Sequence, residues 1–173
     1  MKNDSDQFAS TKLDRVDDIS DELLESAMRQ ALEVAMRARR PFGAALFDIT
    51  RRRVAYCRPN TTREDHDPFA HAEMNVLRAA AQSDSDLSNH ILLSTAEPCP
   101  MCASAAIIGQ VKAIAFGTSI ATLVQLGWRQ IQLPAATVIA HGSPRIEVRP
   151  HFLESETDLF YQRYQTQPYG GEQ

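Results

Sequence analysis

No run of 18 apolar residues occurs anywhere in the chain, so the sequence predicts no membrane-spanning helix. The first residues, MKNDSDQFASTKLDRVDD, lack the apolar stretch of a secretory signal, and a cytoplasmic location is expected. Cysteine is scarce. Three cysteines, two of them in one C-x-x-C, exclude a disulfide framework and suit metal or redox chemistry in a reducing compartment. There is no second C-x-x-C to complete a four-cysteine structural zinc site, and no internal repeat. Neither sign of charge dominates. The net charge is −4 and the sequence pI about 5.7, which disfavours a protein built to grip a polyanion.

What is present is a chain of 173 residues, 43% hydrophobic, enough for one globular domain with a core. Residues 1–18 are polar and charge-mixed and are expected to fray, as are residues 166–173, which leaves a single domain over 19–165. Ser20 offers an N-cap, with Asp21 and Glu22 at the positive end of a helix dipole. Leu24, Met28, Ala31 and Ala35 then recur at helical spacing up to Pro41, which stops the helix. Arg37, Arg39 and Arg40 read as charge at the helix C-terminus on a solvated face rather than as a nucleic-acid patch. Phe42–Phe47 and Val54–Cys57 make a hairpin across a polar turn. Cys57, alternating with apolar neighbours, reads as a buried structural thiol. A polar loop, Arg58–Phe69, leads to a helix running to about Ala81. His90–Thr95 is a third strand, Ala103–Ile108 a helix, and Ala113–Phe116 a fourth strand closed by Gly117. Ala121–Leu126 suggests a short helix, Gln130–His141 is ambiguous around Pro134, Ile146 and Val148 suggest a last strand, and Glu154–Tyr164 a last helix. This order predicts a three-layer α/β/α fold with helices on both faces of one mixed five-stranded sheet.

The chemistry concentrates in two places. His71-Ala72-Glu73 is followed, with 24 residues between Glu73 and Pro98, by Pro98-Cys99-Pro100-Met101-Cys102. Cysteines at i and i+3 share one face of a helix, and a helix N-terminus favours the thiolate that binds metal. One histidine and two cysteines suit zinc, and three protein ligands leave a fourth position open for water, which separates a catalytic site from a structural one. Glu73 is the second clue. At the first turn of a helix it can reach the same pocket as His71, where a carboxylate can move the protons of an attacking water. A lone C-x-x-C reads equally as a redox pair and a lone histidine as a core residue; their combination in H-A-E plus P-C-x-x-C outweighs both readings. The combination is also the general signature of zinc deaminases.

At these residues the chain resembles the cytidine/deoxycytidylate deaminase superfamily, in particular its bacterial guanine deaminase and tRNA adenosine deaminase branch. The resemblance is carried by Pro41-Phe42-Gly43-Ala44, by Asn60 with His66-Asp67-Pro68, by Ala70-His71-Ala72-Glu73 and by Glu97-Pro98-Cys99-Pro100-Met101-Cys102-Ala103. It implies a cytidine deaminase-like fold and a Zn2+ ion held by His71, Cys99 and Cys102. It implies Glu73 as proton shuttle, and Ala72 (through its backbone N–H) and Asn60 as substrate contacts. It also implies a homodimer or tetramer. Phe42 and Trp128 are further candidates for the substrate pocket. Trp128 reads equally as core or as a base-stacking residue, and Phe69 as core. The expected substrate is a small amino-heterocycle, a nucleobase or nucleoside with a guanine-type purine favoured; adenosine in tRNA is the alternative. A non-catalytic zinc-stabilised binding domain is the alternative of another class, and it has no need of Glu73. Guanine deaminases usually place an acid after the fourth strand to read the purine N–H groups, yet no Asp or Glu occurs from Gly109 through Pro144. Glu154, Glu156 or Asp158 are left as sources of that acid. The C-terminal segment has Arg163 as its only cation, unlike the basic last helix of tRNA adenosine deaminases, so nucleic acid is the less expected partner.

Overall fold

The computed structural model describes residues 19–83 and 86–166; both expected tails lie wholly or almost wholly outside them. Five strands form one mixed sheet in the order β2-β1-β3-β4-β5, with β1 Arg40–Asp48, β2 Arg53–Asn60, β3 His90–Ala96, β4 Ala113–Thr118 and β5 Glu147–Arg149. β1 pairs antiparallel with β2 and β3, while β3, β4 and β5 run parallel. The predicted three-layer architecture follows from the alternation of side chains along the strands. Ala44, Leu46, Leu92, Ile114 and Phe116 face one side and bury helices α2 (Ala72–Ser83), α3 (Pro100–Ile108) and α5 (Ala135–Ala140). Ala45, Phe47, Ile91, Leu93, Ala113 and Ala115 face the other and bury α1 (Asp21–Met36). Helix α4 (Ile120–Gln125) follows β4, and α6 (Glu154–Thr166) packs against β4 on the α1 side. No helix among the described residues is long and apolar enough to cross a membrane.

Three expectations change. Helix α1 ends at Met36, and Pro41 lies inside β1 rather than stopping the helix. A proline in an inner strand removes a ladder donor, and it is accommodated here where the β1–β2 register shifts between Arg40 and Gly43. Arg40 is therefore the first residue of β1, paired with Asn60, and not part of the helix end. Gly117 does not close β4 but lies within it: a Cβ there would sit 2.4 Å from Thr157 Oγ1 of α6. The ambiguous stretch around Pro134 resolves as α5, with Pro134 as its N-cap.

Gly43 fixes the approach of α1 to the sheet. A Cβ at this position would lie 2.0 Å from the Ala31 carbonyl oxygen and 3.1 Å from the Ala35 Cβ. Because the nearest atom is helix backbone, no rotamer change relieves the contact. Gly43→Ala is expected to destabilise the fold by about 1–3 kcal/mol, read as a lower urea midpoint at unchanged m-value. A midpoint equal to wild type would show that α1 is free to shift.

Candidate active site

Cys99 is the N-cap of α3, extended at φ −62° and ψ 165°, and Pro100 supplies the first helical residue. Cys102 then lies on the face of α3 that Cys99 overhangs. His71 occupies the corresponding place before α2: its carbonyl accepts from the Asn75 N–H at 2.9 Å and its own N–H donates to the Phe69 carbonyl at 2.8 Å. The two helix N-termini converge. Cys99 Sγ and Cys102 Sγ stand 3.7 Å and 3.6 Å from His71 Nδ1, and 3.6 Å from each other. Tetrahedral zinc, with bonds near 2.3 Å to sulfur and 2.0–2.1 Å to nitrogen, requires edges of about 3.8 Å and about 3.6 Å. The three predicted ligands therefore fit the ion without rearrangement, and they form the one cluster of metal-ligating side chains among the described residues.

The three groups of this triangle shift one another in opposite directions. Hydrogen bonding from Cys102, followed by His71, draws the Cys99 thiol down to about 4. The same shared bond, with burial, pushes Cys102 up, and the contact with Cys99 raises His71. Glu73, in the first turn of α2, is only 6% exposed. Burial above all raises its carboxyl, the direction expected of a group that alternately holds and releases a proton. Ser94 Oγ of β3 donates to Glu73 Oε1 at 3.2 Å and fixes its orientation.

A cavity of about 860 Å³ opens above the triangle. His71, Glu73 and Cys99 form part of its wall, together with Asn60, Phe42 and Trp128, so the structure brings these sequence-predicted residues to one place. Asn60, buried at the end of β2, accepts from the Thr62 N–H at 3.1 Å and the Thr62 hydroxyl at 2.8 Å through Oδ1, which leaves its amide NH2 as the group to face a ligand. Ala72, fully buried, is the first residue of α2. Trp128 meets Phe42 edge-on at 5.3 Å and Tyr161 at 5.9 Å, so it belongs to an aromatic cluster and lines the cavity at once. Phe69 is not core: it is 58% exposed and stands outside the cavity lining.

Several residues of the site escape a reading of the sequence. Glu97, 9% exposed, accepts from the Ile120 N–H and the Ala135 N–H, each at 2.8 Å, and so ties the starts of α4 and α5 to the end of β3. Its signal was there to find, since an acid closing an all-buried strand must have partners. Asn75 donates through Nδ2 to the Pro59 carbonyl and the Thr61 hydroxyl, both at 2.9 Å, and holds the loop between Asn60 and His71. Arg40, Arg63, Arg129 and Gln130 also line the cavity. The C-terminal acids do not enter it: Glu156 pairs with Arg29 at 2.9 Å, Glu154 meets His151 at 2.6 Å, and Asp158 accepts from Thr118 at 2.6 Å.

Comparison with known proteins gives this arrangement its context. The chain is 32% identical over 148 residues to a tRNA(Ile)-lysidine synthase of Deinococcus deserti, covering 77% of this chain and 27% of that protein. It is 37% identical over 107 residues to a tRNA-specific adenosine deaminase of Haemophilus influenzae, covering 58% of this chain and 61% of the other. The chain thus spans less than two thirds of each of these relatives. A solved structure of guanine deaminase from Nitrosomonas europaea superposes with a TM-score of 0.69 at 23% identity, over 82% of this chain and 84% of that one, a likeness of fold. Residues 21–118, more than half of the chain and enclosing His71, Glu73, Cys99 and Cys102, match the cytidine and deoxycytidylate deaminase zinc-binding region, and the chain belongs to that family.

Proposed function

We propose that this protein is a zinc-dependent hydrolytic deaminase that releases ammonia from an amino-heterocycle of the nucleobase or nucleoside class, a guanine-type purine first among the candidates. The observation that carries this reading is the buried Glu73 carboxyl beside a three-ligand triangle at the wall of a ligand-sized cavity. His71, Cys99 and Cys102 would hold zinc, which when bound supplies a Lewis acid able to lower the pKa of water from about 15.7 to about 7.

The residues of the chain account for the remaining steps. Water adds its oxygen to the amino-bearing ring carbon, the C–N bond breaks, and a carbonyl and ammonia result. Glu73 takes the proton given up by the water, delivers it to the ring nitrogen, and then serves the departing amine. Ser94 holds the carboxyl in place for both transfers. The Asn60 amide and the Ala72 N–H orient the heterocycle, while Phe42 and Trp128 supply an apolar wall on which a ring can rest. A second reading, deamination of adenosine in tRNA, is supported by the names of relatives such as that of Haemophilus influenzae. A homodimer in the cytoplasm completes the proposal; the 81% exposed Ile108 at the end of α3 suits a face covered by a second copy.

The test is ammonia release from a panel of nucleobases, nucleosides and an anticodon stem-loop, with zinc measured on the same sample. Turnover of a small amine supports the leading reading, and turnover of the stem-loop alone supports the second. Release from no member of the panel by protein carrying one zinc per chain would overturn both.

A further inference from the structure

Asn60 reaches the cavity from the last position of β2, where the sheet gives way to the loop that runs to His71. A strand end is a poor place for a group that must meet a ligand at a fixed distance, because element ends open first. Both neighbours of Asn60 are nevertheless held, and by a single side chain. Asn75 Nδ2 donates to the Pro59 carbonyl and to the Thr61 hydroxyl, each at 2.9 Å, and to the Ala70 carbonyl at 3.4 Å. The Ala70 carbonyl also accepts from the Thr61 N–H at 3.0 Å, which closes the loop on itself. Carbonyl oxygens only accept, so chemistry fixes the orientation of the Asn75 amide: its NH2 must face the loop. The same residue stands on α2, two positions beyond Glu73, with its N–H bonded to the His71 carbonyl at 2.9 Å. One side chain therefore reaches from the helix that carries Glu73 to both sides of Asn60.

We infer that Asn75 is a positioning residue for the substrate, setting the Asn60 amide in register with Glu73 so that heterocycle and proton shuttle meet at a fixed separation. The inference rests on the deaminase reading above, with Asn60 as a substrate contact, and adds the residue that places that contact. The bonds divide the work between two side chains. Thr62 holds Asn60 Oδ1 through its N–H and its hydroxyl, which aims the Asn60 NH2. Asn75 fixes the backbone on which that turn is built. Its own side chain stands outside the cavity lining, so it acts through Asn60 and not on the substrate. The role needs a donor with two hydrogens on a short side chain: serine and threonine have one hydrogen to give, and an ionised aspartate has none.

The experiment is a double-mutant cycle of Asn75→Ala and Asn60→Ala on the zinc-loaded full chain, using the panel compound that turns over best. Asn75→Ala is expected to raise KM by about 10-fold with kcat nearly unchanged, within the roughly 100-fold that a 1 Å misplacement can cost. In the Asn60→Ala background the same substitution should have little further effect on KM, since the group it places is gone. Asn75→Asp keeps the shape and loses the donor, and its KM should follow the alanine variant. A second readout needs no turnover: the Thr61 and Thr62 amide hydrogens should exchange about 10-fold faster in Asn75→Ala while those of β3 keep their protection. A KM effect of equal size in both backgrounds, a loss in kcat as large as that in KM, an aspartate variant that matches wild type, or unchanged exchange at Thr61 and Thr62 overturns the inference. Absence of ammonia from every compound with the wild-type protein would defeat the deaminase reading instead. Hydrogen exchange, with calorimetric binding of 2,6-diaminopurine to zinc-loaded Glu73→Gln across the same cycle, would then decide whether Asn75 places the Asn60 amide.

Discussion

Glu73→Gln should lower turnover by about 10²- to 10⁴-fold while the purified protein still carries one zinc per chain. Glutamine has the shape of glutamate and can keep an acceptor toward Ser94 Oγ, so the wall of the cavity is retained. What it loses is the ability to take up a proton and give it back. Zinc retention follows from geometry, because the ligand triangle is complete without Glu73. Ammonia release and metal analysis on the same preparation separate the outcomes. Loss of zinc together with activity would make Glu73 a ligand and not a shuttle. Undiminished turnover would remove it from the mechanism. Unchanged fold and function of any kind would favour the non-catalytic binding domain, for which a buried carboxyl at this position has no use. The buried setting makes the substitution informative in a second way. Burial raises the carboxyl, so a neutral amide of the same shape in its place should leave the fold at least as stable as wild type.

The parts of this site that were legible in the sequence are those whose chemistry demands a residue type at a local spacing. Two thiols reach one ion only if they share a helix face, so C-x-x-C announces itself; His71 and Glu73 do so because both project from one helix start. The sheet was legible for a similar reason: β3 and β4 are apolar runs bounded by polar turns, and both are wholly buried. The remainder depends on contacts distant in the chain. Arg40 reads as helix-terminal charge because Pro41 looks like a helix stop. In the folded chain the helix ends four residues before Arg40, and that arginine, paired with Asn60 at the start of β1, lines the cavity. Gly117 reads as the end of a strand, since only the packing of Thr157 on it explains a glycine inside β4. Phe69 reads as core by its ring alone, but the loop that positions His71 holds it outward. Trp128 was ambiguous, and the ambiguity was physical: one face packs on Phe42 and Tyr161 while the residue still borders the cavity.

Glu97 shows most plainly how a distant contact can govern the site, and its replacement gives the second large effect. Its two oxygens accept from Ile120 and Ala135, 23 and 38 residues along the chain, at the first residues of α4 and α5. Helix starts carry N–H groups with no partner inside the helix, and both of these are satisfied by one buried carboxylate. Hydrogen bonds to a charged acceptor contribute about 1.5–3 kcal/mol each, so Glu97→Ala should cost about 3–6 kcal/mol, toward the lower end where water enters. Glu97→Gln is the sharper test. Its amide offers one oxygen and one NH2, so one helix start would face a donor where it needs an acceptor. The glutamine variant should therefore recover at most half of the loss, which shape alone would not predict. The kinetic effect should fall more on KM than on kcat, because α4 leads into the cavity wall around Trp128 and Arg129 whereas Glu73 and the metal ligands lie on α2 and α3. Urea midpoints and steady-state kinetics on both variants decide the matter. A glutamine variant as stable as wild type would mean that the two helix starts are held by packing, and that the Glu97 carboxylate is dispensable to the pocket beside it.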